Sequence, residues 1–233
     1  MVKNFITAII QFIFTPVWVV KQLNRHLKIN KWQKALKLEE HQQLFTALYY
    51  NVDGYDLSRQ ARLRQDAIEY TYGEIKFLPF IALLSLVKPD KNTVFYDLGC
   101  GIGKAVIACA LVYPVKKSVG VEILEELASC AKEKVQLLAE ISGSNAFGEN
   151  IEIIQADFFS IDLLDANLML INATTFFGPT WDKLGEKLNK LTDLKTVITT
   201  SRPLKTCTFE VITTTKIQMS WGVVPAFIHQ RKN

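Results

Sequence analysis

An acid closing an apolar run, three alternating glycines and a second apolar stretch make up Val94-Phe95-Tyr96-Asp97-Leu98-Gly99-Cys100-Gly101-Ile102-Gly103-Lys104. This order reads as a strand, a tight turn and a helix. Gly99 and Gly101 let a ligand approach the backbone closely. The helix that starts near Gly103 presents free backbone N–H groups and the positive end of its dipole, which suit a carboxylate. Asp97 suits an ammonium beside it. A carboxylate and an ammonium side by side are the amino-acid end of S-adenosylmethionine. Three further segments fall in register. Val119-Gly120-Val121-Glu122 is a buried strand ending in an acid, one strand–helix–strand step on, where two carboxylate oxygens accept from both hydroxyls of a ribose. Gln155-Ala156-Asp157-Phe158-Phe159 closes a third strand, with Asp157 placed to accept from an adenine amino group and Phe158 to pack on its ring. Leu168 to Asn172 is an apolar strand that runs into Asn172-Ala173-Thr174-Thr175 and then Phe176-Phe177-Gly178-Pro179. Strand ends of this kind are where open α/β sheets hold ligands. Taken singly, each segment also has a plain structural reading as a glycine turn, an acidic helix cap or a turn before a helix. Four in order point to one site. A dinucleotide fingerprint fits less well, because its third glycine falls on Lys104.

The elements that must position these groups alternate. Strand-like runs lie at 93–98, 118–123, 151–157, 168–172, 196–200, 209–219 and 223–229, with helical patterns at 103–112, 125–141 and 180–191. Alternation of this kind predicts a mostly parallel sheet with helices on both faces. The last two runs are joined only by Ser220-Trp221-Gly222 and predict an antiparallel hairpin. Ahead of the sheet, the pattern predicts a helix over 31–50, a turn over 51–55 around Asp53-Gly54, and a polar helix over 59–70. A helix over 75–87, opened by Tyr72-Gly73-Glu74, completes it. The expected division is an apolar and basic arm (1–30), a helical cap (31–90) and a catalytic domain (91–233).

With 49% hydrophobic and 21% charged residues, the chain has the balance of a folded protein. Its four cysteines and three histidines show no metal-ligand spacing, and the cysteines read as small buried residues in a reducing compartment. The net charge of +4 is unevenly placed. Lys3, Lys21, Arg25, Lys28, Lys31, Lys34 and Lys37 stand in residues 1–38 without an acid, leaving 20 basic against 23 acidic residues in the remainder. The body therefore lacks the charge of a nucleic-acid groove, and nucleic acid enters only through a nucleosome substrate. The apolar run 5–20 is short for a membrane span, and no small-x-small cleavage site follows it. Two readings stand side by side: a helix docked on the main domain or on another copy, and an anchor at a membrane surface with residues 1–38 against anionic lipid. The expected location is cytoplasmic, with membrane association under the second reading.

The motifs Tyr72-Gly73-Glu74, Asp97 to Gly103, Gly120-Val121-Glu122, Asp157-Phe158, Phe177-Gly178-Pro179 and Ser201-Arg202-Pro203-Leu204 appear in that order. Together they resemble the disruptor-of-telomeric-silencing lysine methyltransferases, the histone-lysine methyltransferases without a SET domain. The resemblance covers roughly residues 55–205. It implies a Rossmann-like class I methyltransferase fold, a seven-stranded sheet with an antiparallel last strand, and S-adenosylmethionine as cofactor. It implies that Tyr72 and Glu74 come from a loop closing over the cofactor. Asp97, Gly99, Gly101, Gly103, Lys104 and Glu122 then hold the amino-acid and ribose parts, and Asp157 and Phe158 the adenine. The family's asparagine before the Phe-Gly-Pro block falls on Thr174, with Asn172 two residues earlier, so either residue can serve. Lys104 stands where the family commonly has glutamine. Phe176, Phe177 and Trp221 are candidate walls of a lysine channel, each with core packing as its simpler role. The implied activity is methyl transfer to a protein lysine. A small-molecule or lipid methyltransferase at a membrane and a non-catalytic cofactor-binding protein are the alternatives.

Overall fold

The computed structural model describes residues 17–64, 66–142 and 150–232, so most of the apolar run 5–20 lies outside the described residues. The chain divides into two compact units, residues 1–40 and 41–233. In the first, α1 (Val17–Ala35) contains no acid and exposes Arg25, Lys28, Lys31 and Lys34. The helix expected over 31–50 is two helices. The chain breaks at Lys37, whose φ of 48° is left-handed, and restarts as α2 (Leu38–Leu48). Glu39 and Glu40 in the first turn of α2 favour a start there, because carboxylates complement the positive helix end.

In the second unit, α3 (Gly54–Arg62) is capped by Asp53, which accepts from the N–H groups of Tyr55 and Asp56 at 3.0 Å each. The polar helix expected over 59–70 ends at Arg62, and only a short 3₁₀ turn, Ile68–Tyr70, follows. Tyr72-Gly73-Glu74 does not open a helix. It is extended, and α4 (Phe77–Ser85) begins later. The reason is tertiary. The Glu74 N–H donates to Ser220 Oγ (3.0 Å), the Ser220 N–H donates to the Glu74 carbonyl (2.9 Å), and Ile75 forms an antiparallel bridge with Met219. Backbone groups satisfied by a distant hairpin do not need a helix.

The remaining elements alternate as expected: β1 (Val94–Leu98), α5 (Lys104–Val112), β2 (Lys117–Glu122), α6 (Glu125–Ser142), β3 (Ile151–Gln155), β4 (Leu168–Asn172), α7 (Gly178–Asn189), β5 (Thr196–Thr200), β6 (Phe209–Met219) and β7 (Gly222–Arg231). They form one seven-stranded sheet in the order β3-β2-β1-β4-β5-β7-β6. All pairs are parallel except those of β7, which runs antiparallel between β5 and β6. This is the mixed sheet with a terminal hairpin that the sequence implies. On one face Phe80 of α4 meets Phe95 of β1, ring centroids 6.2 Å apart. On the other, Trp181, Leu184 and Leu188 of α7 pack with Tyr96, Val121, Met169 and Val197. Each such buried side chain stabilises the fold by about 1.5–3 kcal/mol. The order of strands reverses between β1 and β4, which opens a crevice at their carboxyl ends.

Candidate active site

Into that crevice β1 delivers the glycine turn. Gly99, Gly101 and Gly103 have φ of 78°, 55° and 79°, a left-handed run that costs any other residue about 1–2 kcal/mol per position. The Gly99 and Cys100 N–H groups both donate to the Val121 carbonyl, at 2.8 and 3.1 Å, and tie the turn to β2. A side chain at Gly99 would meet nothing within 4 Å, so that position faces open space.

Two cavities flank the turn. The larger, about 310 Å³, is lined by Gly99, Glu122, Asp157 and Phe158 at and after the strand ends and by Glu69, Tyr70 and Thr71 of the segment ahead of the sheet. Its volume is at the lower end of small-molecule sites, about 300–1,000 Å³. Its carboxylates are Glu69, Glu122 and Asp157, and no lysine, arginine or histidine lines it. The smaller, about 40 Å³, is lined by Glu74, Asp97, Gly101, Thr200 and Met219 among others. Tyr72, Gly73, Gly99 and Asn172 line both cavities and so mark the junction between them.

Glu122 is buried, and both of its oxygens are engaged: the Gly101 N–H donates to Oε2 (2.8 Å) and the Leu124 N–H to Oε1 (2.9 Å). Burial raises its pKa, and these backbone donors oppose the rise. Asp97 is equally buried, and its carboxyl makes no hydrogen bond among the described residues. Burial, and then the charge of Glu122, push its carboxyl up to about 8. A buried carboxyl with no donor of its own, beside a small cavity, is a socket for a cationic group. Asp157 closes the β3 turn, accepting from the Phe159 N–H (2.8 Å). Phe158 is edge-on to Phe176 at 5.8 Å, and Phe176 stacks on Trp181 at 6.4 Å.

The extended segment at 72–74 covers the turn. The Tyr72 ring lies where a Cβ on Gly101 would be 2.5 Å from it. The Tyr72 hydroxyl donates to Glu74 Oε1 (2.9 Å), and burial first, then Glu74, raises its pKa far above the usual phenol range. Glu74 Oε2 pairs with Lys104 Nζ at 2.6 Å, with both side chains less than one-fifth exposed. The pair offsets a cation on the first residue of α5, where the helix dipole disfavours it. Trp221 of the hairpin turn packs on Gly73, and the Tyr55 hydroxyl is hydrogen-bonded to Ser220 Oγ.

The sequence-derived set therefore divides by place. Tyr72, Glu74, Asp97, Gly99, Gly101, Glu122, Asp157, Phe158 and Asn172 line one cavity or both. Gly103, Lys104, Thr174, Phe177 and Trp221 line neither. Gly103 is the left-handed residue before α5 and packs toward Ala131. Thr174 turns its hydroxyl to Asn172 Oδ1 (2.9 Å). Phe177 is 47% exposed, with the Arg202 guanidinium 3.9 Å from its ring centroid. Sequence reasoning missed Glu69, Thr71, Thr180, Thr200 and Met219. Glu69 lies in the stretch read as helix and is held by Thr180 Oγ1 (3.2 Å), a residue with no local spacing to it.

Comparison with known proteins adds to this geometry. The family description "Histone methylation protein DOT1" matches residues 58–223. A protein-lysine N-methyltransferase of Saccharolobus islandicus is 31% identical over 105 residues, 43% of this chain and 61% of that protein. The histone-lysine N-methyltransferase, H3 lysine-79 specific, of Caenorhabditis elegans is 30% identical over 146 residues, 58% of this chain but 15% of that protein. The chain thus spans less than two-thirds of either relative. An RNA methyltransferase of Salinibacter ruber in complex with S-adenosyl-L-homocysteine shares the fold at a TM-score of 0.53 and 20% identity, covering 66% of this chain and 91% of that one.

Proposed function

Because the chain belongs to the DOT1 family of histone methylation proteins, we propose that it is an S-adenosylmethionine-dependent methyltransferase acting on the amine of a protein lysine. The observation that carries this reading is the pair of cavities meeting at Tyr72, Gly73, Gly99 and Asn172. The residues present fit the cofactor. Asp97 offers its partnerless carboxyl to the ammonium, Glu122 keeps lone pairs for ribose hydroxyls, and Asp157 with Phe158 borders the adenine. Gly99 keeps open the space a side chain would fill. When bound, S-adenosylmethionine supplies a methyl group on a sulfonium, ready for in-line displacement.

The protein's task is alignment and exclusion of water. Tyr72 and Gly73 cover the junction, and Trp221 backs Gly73. The lining, rich in carboxylates and free of cations, draws in a positively charged lysine, which surrenders its proton to solvent as it enters. Apolar walls such as Phe176 favour the neutral amine, whose lone pair would take the methyl as its bond to sulfur breaks, the electron pair leaving with the neutral thioether. The methylated ammonium then loses a proton to water. Phe177 and Trp221, both part-exposed, suit the rim on which a substrate lands. In this reading residues 91–233 bind the cofactor, 31–90 form the cap and 1–30 the arm.

A second proposal concerns location. The cations of α1 stand exposed without an acid in their helix, beside Leu27, which is 65% exposed. They suit an anionic membrane surface on the cytoplasmic side. No helix among the described residues is long and apolar enough to cross a membrane. Flotation of the full chain with phosphatidylserine vesicles, lost on removal of residues 1–30, is the expected result. Equal flotation of both would remove the proposal.

The main test is transfer of labelled methyl from S-adenosylmethionine to nucleosomes, free histones and cell extract. Label on a protein band with wild type, absent with Asp97→Ala, is expected. Cofactor binding without any protein labelling would overturn the protein-lysine reading in favour of a small-molecule, lipid or non-catalytic role.

A further inference from the structure

Asn172 is the sole side-chain amide at the junction of the two described cavities, and its carbonyl oxygen is already taken. Thr200 Oγ1 lies 2.7 Å from Asn172 Oδ1 and Thr174 Oγ1 lies 2.9 Å from it. Thr174 Oγ1 also meets Ser201 Oγ at 2.8 Å. The three hydroxyls come from the ends of β4 and β5 and form one cluster behind the amide. Ser201 is held there at a φ of 68°, in the left-handed region where serine is uncommon, by its N–H to the Pro225 carbonyl (2.8 Å). The next residues hold the turn: Thr199 Oγ1 donates to the Arg202 carbonyl (2.7 Å), and Arg202 Nη2 reaches the Thr174 carbonyl (3.4 Å). A strained turn kept by several bonds is over-determined by its surroundings.

We propose that Thr174, Thr200 and Ser201 are positioning residues that lock the Asn172 amide in one orientation at the cavity junction, with its NH₂ group toward the bound reactants. The inference rests on the methyltransferase reading for its kinetic consequence, though not for the orientation itself. An amide oxygen has two lone pairs, and here both are occupied by threonine hydroxyls. The group left to face the junction is a donor, so Asn172 does not accept a hydrogen bond from an incoming ammonium there. Its work is to fix an acceptor on the reactants. Thr174 therefore acts through Asn172 and touches neither cavity. Removal of one hydroxyl frees the amide to rotate, and removal of both leaves it unguided. Misplacement on the scale of 1 Å costs up to about 10²-fold in rate.

The test compares wild type, Thr174→Val, Thr174→Ser, Thr200→Val and the double valine variant. Two readouts are taken: methyl transfer to free core histones, and the side-chain ¹⁵N–¹H₂ resonances of Asn172, assigned through Asn172→Asp. The expected result is a distinct, slowly exchanging pair of amide signals in wild type and Thr174→Ser, shifted and fast-exchanging in the valine variants. With it goes a kcat about tenfold lower for each single valine and about 10²-fold lower for the pair, with the KM for S-adenosylmethionine unchanged in Thr174→Val, whose side chain lines neither cavity. Serine at 174 restores kcat, which a loss of packing alone would not do. Unchanged amide signals in Thr174→Val and Thr200→Val would overturn the inference, as would a kcat that falls equally in Thr174→Ser. If wild type labels no histone, the histone-lysine reading fails, and the amide signals alone decide the positioning role.

Discussion

With Asp97 as the proposed partner of the cofactor's ammonium, cofactor affinity should depend on pH in a way that can be worked out from the surroundings of the Asp97 carboxyl. Burial, and then the charge of Glu122, push this carboxyl up to about 8. Near neutrality the unliganded protein therefore holds Asp97 mostly protonated, and an ammonium can dock only on the ionised form. Apparent affinity is the intrinsic affinity scaled by the ionised fraction. With a pKa of 8, that fraction is about 0.01 at pH 6 and about 0.09 at pH 7, so the Kd for S-adenosylmethionine falls about ninefold over that unit. Binding at pH 7 releases about 0.9 proton per cofactor. The rise in affinity levels off near pH 8, where the cofactor's own α-amino group, near the range of about 7.7–8.0, begins to lose its proton. Calorimetric titrations at pH 6, 6.5, 7 and 7.5, in buffers of different ionisation enthalpy, read both quantities. 5′-Methylthioadenosine lacks the ammonium and the carboxylate and should show neither effect. A Kd for S-adenosylmethionine that stays flat from pH 6 to 7.5, or no proton release, would refute the assignment of Asp97 to the ammonium.

The same group sets a stability trend. Its folded pKa lies above the unfolded value, so the stability it contributes is full below about pH 4 and is lost as pH rises through about 8. Asp97→Asn should then raise the unliganded Tm at pH 8 by a few degrees, at about 2–4 °C per kcal/mol, while abolishing cofactor binding; a lower Tm counts against the buried charge. His229 behaves in the opposite sense. It is buried, its Nε2 accepts from the Leu204 N–H and its Nδ1–H donates to the Val197 carbonyl, both at 3.0 Å, and burial lowers its pKa. Its contribution is full above about pH 6.5 and is lost as pH falls through the lower folded value. An imidazole titration midpoint at or above 6.5 by NMR would contradict this. Gly101→Ala places a Cβ at φ 55° and 2.5 Å from the Tyr72 ring, so a loss of about 1–2 kcal/mol from backbone strain is expected, with weaker cofactor binding. Thermal melts and calorimetry that match wild type would show that Tyr72 does not cover the turn.

The core of the fold was legible because its signals are local. β4, β5 and β6 are rich in apolar and β-branched residues and bounded by turns, and their ends agree with the pattern at 168–172, 196–200 and 209–219. The glycine turn was legible because left-handed backbone demands glycine at 99, 101 and 103. The hairpin was legible from its short connection, whereas the insertion of β7 between β5 and β6 was not, since strand order is a matter of long-range pairing.

What the sequence determined by itself is the kind of site: an acid, a glycine turn and two further acids at successive strand ends, in the order an S-adenosylmethionine-binding sheet needs. What the tertiary structure alone decided is how those groups are held. The 72–76 segment is extended because Ser220 and Met219, far along the chain, take its hydrogen bonds. Asn172 lines both cavities while Thr174 lines neither, and Thr200 and Ser201 close the hydroxyl cluster from a neighbouring strand. The altered acidity of Asp97 arises from burial and from Glu122 across the β1–β2 pair. Local pattern specifies backbone conformation residue by residue, but burial, charge proximity and hydrogen-bond partnership exist only once distant segments meet.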